Sequence, residues 1–144
     1  MSMLTAFPLL AIPVIIYNLI AFISVLNGSG ANPTDEGIRQ ILFSIPMPSE
    51  GTLWKVSAGD IIILVGLLML FFELLKSTSS QKVAIVNHAL SMLLFIIALV
   101  EFLLWPAFAT STFFLLVVMI LLDVLAGFIV TIITARKDFD FSNS

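Results

Sequence analysis

Asp123, Glu101, Glu73 and His88 are ionisable side chains set within long apolar stretches. Such groups are costly in lipid, so they have the first claim on any chemistry this chain performs. Asp123 falls in the middle of the last apolar stretch, about 18 Å from either end at 1.5 Å per residue. Asn18, beside Tyr17, has a similar depth in the first stretch. An Asn18–Asp123 hydrogen bond is therefore expected if the two segments face each other. Glu73, His88, Thr131 and Thr134 lie toward one end, and Glu101 lies toward the other, one turn before Trp105. With Asn87, these residues form a ladder of the kind a proton relay uses. Packing accounts for the same residues: a mid-membrane Asp costs about 2.5–3.5 kcal/mol, and each Leu, Ile, Phe or Val returns roughly 0.3–0.6. An inward carboxyl can also simply tie two helices together. Glu73, close to Lys76, is expected to snorkel or to pair near the headgroups. His88 suits either packing or proton transfer.

Several chemistries lack the residues they need. Bis-histidine haem requires two histidines and the chain has one. No paired-His or Glu-x-x-His spacing supports zinc or a carboxylate-bridged di-iron centre. His88 and Ser91 are one turn apart, but nothing marks the oxyanion hole or orienting acid that a Ser–His nucleophile needs. There is no phosphate-cradling glycine loop. With no cysteine, thiol catalysis, disulfide exchange and iron–sulfur clusters are excluded, and with them the quinone-linked disulfide oxidases. A net charge of −3 with six basic residues argues against nucleic-acid binding. No catalytic residue, metal or cofactor is expected.

The elements that position these groups follow from composition. The 144 residues are 60% hydrophobic and 10% charged, with a mean hydropathy of +1.20. Soluble domains carry about 25% charged residues, so lipid is the expected solvent. Four stretches approach the ~20 residues needed to cross a bilayer, at about 6–26, 60–76, 83–105 and 111–135. The N-terminus has no Lys or Arg before the first stretch, which is read as a retained helix rather than a signal peptide. Pro13 inside it is expected to free the Leu9 carbonyl and to kink or unwind the helix. Polar and small residues recur at helical spacing: Gly59, Ile63, Gly66, Leu70 and Glu73 in the second span; Asn87, Ser91, Leu94, Ala98, Glu101 and Trp105 in the third; Asp123, Gly127, Thr131 and Thr134 in the fourth. These stripes are assigned to the inside of a four-helix bundle.

Lys76 and Lys82 mark one side of the membrane, together with Arg136 and Lys137 in a tail spanning 136–144. The opposite side has only Arg39 and Lys55, among four acids. The bias places both termini in the cytoplasm and sets Trp54 and Trp105 at the outer interface as anchors. The outer loop, 27–58, opens with the turn-forming Asn27-Gly28-Ser29-Gly30. It then alternates through Ile41, Phe43 and Ile45, turns at Ser49-Glu50-Gly51 and resumes at Thr52. This pattern predicts a β-hairpin on the outer surface, its apolar face resting on helix ends, lipid or a partner. The expected fold class is thus an all-α membrane protein, a single four-transmembrane-helix domain over 1–144 with a small extracytoplasmic hairpin.

The stretches Phe71-Phe72-Glu73-Leu74-Leu75-Lys76, Asn87-His88-Ala89-Leu90-Ser91 and Leu122-Asp123-Val124-Leu125-Ala126-Gly127-Phe128 resemble those of small uncharacterised four-helix proteins of alphaproteobacteria. The resemblance runs from the hairpin onward, implies a bacterial inner-membrane location and supplies no activity. The layout is also similar to claudin-like tetraspans, but the Gly-Leu-Trp and cysteine signature of their first loop is missing. The small multidrug transporters share the size and number of spans, yet rely on a glutamate where Asn18 stands here. Three functions remain expected: an accessory or scaffold subunit bound to a membrane-protein partner or to its own copies, a small proton- or ion-coupled channel or transporter, and an envelope protein that docks through the hairpin.

Overall fold

A computed structural model describes residues 6–28, 32–76 and 81–143, and their side chains except at 81–83. The side chain of the expected anchor Lys82, the expected turn residues Ser29 and Gly30, and the N-terminal residues 1–5 therefore lie outside what is described. Helix α1 spans Ala11–Asn27 and a short α2 spans Pro33–Arg39. Strands β1 (Ile41–Pro46) and β2 (Leu53–Ser57) follow, then α3 (Ala58–Lys76), α4 (Gln81–Leu104), a 3-10 turn at Pro106–Phe108 and α5 (Ser111–Ser142). Helices α3 and α5 and residues Ala84–Leu104 of α4 are long and apolar enough to cross a membrane, whereas α1 is a shorter apolar helix of 17 residues. By these helices the chain is a membrane protein.

Three boundaries differ from expectation. The helix of the first apolar stretch runs continuously only from Ala11: Ala6 is helical, but residues 7–10 bend and turn, with Ala11 N–H bonded to the Pro8 carbonyl and Ile12 N–H to the Leu9 carbonyl. Pro13 thus occupies the first turn, where a missing N–H has no helical partner to lose, and the Leu9 carbonyl stays bonded. No interior break follows. The 27–58 loop contains the unexpected α2. Asn32 caps it by accepting from Asp35 N–H at 3.2 Å, Pro33 opens it, and Asp35 and Glu36 stand in its first turn. That order is a helix-start signature. The expected tail is helical through Ser142, since 135–142 contains neither Gly nor Pro to stop it.

The strands pair antiparallel, with Ile45 opposite Trp54, Ser44 opposite Lys55, and a bulge between Ile41 and Phe43. Gly51 closes the turn at φ +71°, a conformation that disfavours other residues. Of the hairpin's apolar residues only Val56 is buried; Ile41, Leu42, Phe43, Ile45, Leu53 and Trp54 are exposed. Helix ends therefore do not cover it.

The core collects around α5. Phe113, Leu116, Val117, Met119 and Ile120 meet Leu10 just before α1, Val14, Tyr17 and Ala21 of α1, Ile62 of α3 and Ala98 of α4. The α3 stripe faces inward at Gly59, Gly66 and Glu73. The α4 stripe is buried at Asn87, Ser91, Ala98 and Glu101 and ends at the exposed Trp105. Small residues set the approach: a Cβ on Gly59 would lie 2.7 Å from both Ile38 Cγ2 and Thr112 Oγ1. Gly59→Val is therefore expected to push α3 off α2 and α5 and to lower stability by about 1–3 kcal/mol. Thermal unfolding in detergent measures this, and an unchanged midpoint would show that the approach is not tight.

Candidate functional site

Glu73, in the last turn of α3, is fully buried. Of the two expected arrangements it pairs with Lys76 rather than snorkelling. Its Oε2 accepts the Leu9 N–H at 2.7 Å, its Oε1 accepts Asn87 Nδ2, and Lys76 Nζ lies 3.3 Å from Oε1. Glu73 and Lys76 are three residues apart and share a helix face. Lys76 also donates to the Phe7 carbonyl at 2.6 Å, so it ties the segment before α1 to the end of α3. One carboxylate thus joins three segments of the chain.

Asn87 links this cluster to a second group. Asn87, His88 and Ser91 of α4 and Asp123, Gly127 and Thr131 of α5 line a cavity of about 30 Å³ that Lys76 also borders. Asp123 is 6% exposed and neighbours Ser91, with Glu73, His88 and Lys76 close enough to act on its charge. The His88 ring lies against Gly127, where a Cβ would meet Nδ1 at 2.5 Å. Asn87 Oδ1 and Ser91 Oγ are buried with no hydrogen-bond partner among the described residues. Among the described residues His88 makes no hydrogen bond to Ser91, and the acid beside that hydroxyl is Asp123, so the His88–Ser91 spacing does not by itself make an activated nucleophile. Thr131 borders the cavity, but its hydroxyl bonds the Gly127 carbonyl at 2.9 Å. Thr134 bonds the Val130 carbonyl in the same way.

Asn18 does not reach Asp123. Its Nδ2 donates to Glu101 Oε2 at 3.3 Å and to the Val14 carbonyl of its own helix at 3.0 Å. The expected Asn18–Asp123 pair is thus replaced by Asn18–Glu101, because α1 meets α4 through the Glu101 part of the α4 stripe. Nearby, Tyr17 Oη bonds Thr110 Oγ1 at 2.5 Å and the Ala107 carbonyl at 3.2 Å. Thr110 also caps α5 by accepting from Phe113 N–H. Neither Tyr17 nor Thr110 stood out as a site residue, although a threonine just before a long apolar run is a capping signal. Asn32 Nδ2 ties α2 to the Pro106 carbonyl at 3.1 Å. A wider apolar cavity of about 580 Å³ opens beside Asn18, Phe22, Trp105 and Phe108. Trp54 and Trp105 are both exposed, as are Arg136 and Lys137 on the continued α5.

The polar residues singled out in the sequence therefore divide in two. Glu73, Asn87, His88, Asp123 and Thr131 gather around or beside one small cavity; Asn18 and Glu101 form a separate tie. Among the described residues, no three His, Cys, Asp or Glu groups cluster as a metal site. Comparison with family models, curated proteins and solved structures finds no match to this chain.

Removing one partner of a buried ion pair strands the other, at a cost of about 3–5 kcal/mol, whereas neutral replacement of both is much milder. Glu73→Ala is accordingly expected to destabilise the protein strongly, and Glu73→Gln with Lys76→Met to recover most of the loss. Chemical unfolding of the three proteins in one detergent tests this. Equal stability of single and double variants would sink the clamp.

Proposed function

We propose that the chain is a multi-pass protein of the bacterial inner membrane that crosses four times as a helix bundle. In this reading it acts as a non-catalytic accessory or scaffold subunit within a larger membrane complex. The carrying observation is the distribution of polarity. Glu73, Asn18 and Glu101 hold chain segments together, while the hairpin presents Ile41, Phe43, Leu53 and Trp54 uncovered. An apolar, two-stranded ribbon is marginal by itself, and a neighbouring protein or the lipid interface would supply the missing cover. Helix α1, about 26 Å long at 1.5 Å per residue, approaches the ~30 Å hydrocarbon thickness. That length supports the fourth crossing. The basic residues Lys76, Arg136 and Lys137 favour cytoplasmic termini, with the hairpin outside.

The Asp123–His88–Asn87 cavity favours a second reading, a small proton- or ion-coupled channel or transporter that also draws on Glu73. The uncovered hairpin equally suits an envelope protein that docks through this ribbon. Extraction from native membranes in mild detergent separates the three. A scaffold subunit is expected to co-migrate with a larger assembly and to be released when Gln40 to Leu53 is deleted; a solitary monomer counts heavily against it. A transporter would instead give liposome flux that Asp123→Asn abolishes, and unchanged or absent flux removes that reading.

A further inference from the structure

Helix α1 outruns its neighbours at the hairpin end of the bundle. Asn18 bonds Glu101, close to the end of α4 at Leu104, and Tyr17 bonds the Ala107 carbonyl and Thr110. The connection from α4 to α5 therefore lies alongside the middle of α1. Leu19 to Asn27 continue past it for about 13 Å of helix at 1.5 Å per residue. Leu19, Phe22, Ile23, Val25 and Leu26 of this half are all exposed. Such a surface calls for hydrocarbon against it, yet α4 is no longer alongside to share the space.

The cavity of about 580 Å³ lies in this notch, between the Ala21, Phe22 and Val25 face of α1, the Trp105–Phe108 turn and Pro33. Among the described residues that line it, none is charged. Its two amides are engaged within the chain. Asn18 donates to Glu101 and to the Val14 carbonyl; Asn32 donates to the Pro106 carbonyl and accepts from Asp35 N–H. A phosphate or a cation finds no charged partner there, and the surface left for a ligand is apolar.

Size narrows the occupant further. A helix with its side chains is about 10–12 Å across, so one 5.4 Å turn fills roughly 400–600 Å³, and a partner helix would seat only a single turn. A methylene is close to a water in size, about 30 Å³, so 580 Å³ takes roughly nineteen of them. That is one acyl chain of ordinary length, and not two. Phe22 and Val25 of the lining adjoin the exposed Leu19, Ile23 and Leu26, so a chain can enter sideways from the bilayer.

We propose that this notch holds one acyl chain of a diacyl phospholipid from the hairpin-side leaflet. The chain fills the space between α1 and the turn, held by apolar contact with Phe22, Val25, Trp105 and Phe108. The site rests on the reading of α1 as a membrane helix and is independent of the scaffold role.

Native mass spectrometry of the full chain in mild detergent, with phosphatidylcholine as the probe lipid, tests this. Wild type is expected to keep one phosphatidylcholine per chain after the detergent is stripped. Val25→Trp, at an exposed position, fills the notch without entering the core and is expected to lose that lipid. Ile23→Trp puts the same bulk on α1 outside the lining and is expected to keep it. Wild type without lipid, or equal retention by wild type and Val25→Trp, overturns the proposal. A second copy of the chain held in place of the lipid overturns it too. Ile23→Cys, in a chain with no other cysteine, is expected to resist a water-soluble maleimide in phosphatidylcholine vesicles. Labelling there would take α1 out of the membrane and the site with it; a protected Ile23→Cys with no retained lipid overturns the site alone.

Discussion

Complete burial of the Glu73 carboxylate is the constraint on which the rest of this structure leans. A charge withdrawn from water must find its hydrogen bonds within the protein, and Glu73 finds them on three sides. The Leu9 N–H brings in the start of α1, Lys76 supplies the countercharge, and Asn87 brings in α4. Because Asn87 has one donor end and one acceptor end, spending the donor on Glu73 leaves the acceptor without a partner among the described residues, in a residue that lines a cavity together with Asp123 and Ser91. The polar cavity is in that sense a consequence of the clamp beside it.

The other end is held by hydrogen bonds that involve no ion pair between segments. Tyr17 joins α1 to the cap of α5 through Thr110, Asn18 joins α1 to α4 through Glu101, and Asn32 fastens α2 to the turn at Pro106. Between the two ends, close approach depends on Gly59, Gly66 and Gly127, which abut Ile38, Met119 and His88. Lipid tails are as apolar as leucine, so helices in a membrane gain little from hydrophobic burial against each other. Close packing and interhelical hydrogen bonds have to supply the association instead.

Seen from outside, the molecule is apolar almost throughout. Large hydrophobic side chains are exposed along α1, α3, α4 and α5 and along the hairpin. On the helices this is ordinary for a surface that meets lipid. On the hairpin it is less ordinary, because a bulged, two-stranded ribbon has backbone edges that also need partners. The hairpin is therefore where a scaffold role would be exercised, while the inward carboxylates keep the helices in register.

The sequence by itself determined the solvent, the apolar helical segments, the strand pair and its turn, and the inward stripes of α3 and α4. Each of these follows from composition or from local periodicity, and local rules are legible without contacts. It also held the Asn-Pro-Thr-Asp-Glu signature of α2, a short motif masked by the stronger alternation that follows it. Tertiary structure alone decided the partners. Asn18 lies at the depth of Asp123 along the chain, yet depth does not say which stripe α1 faces, and it faces Glu101. Glu73 looked solvated from its place near the end of a span, but it is fully buried and bonded to the Leu9 N–H from the segment before α1. Lys76 became a clamp for the same reason. Pairing between helices is set by their rotation and order around α5, and these depend on contacts between residues far apart in the chain, which local periodicity does not specify.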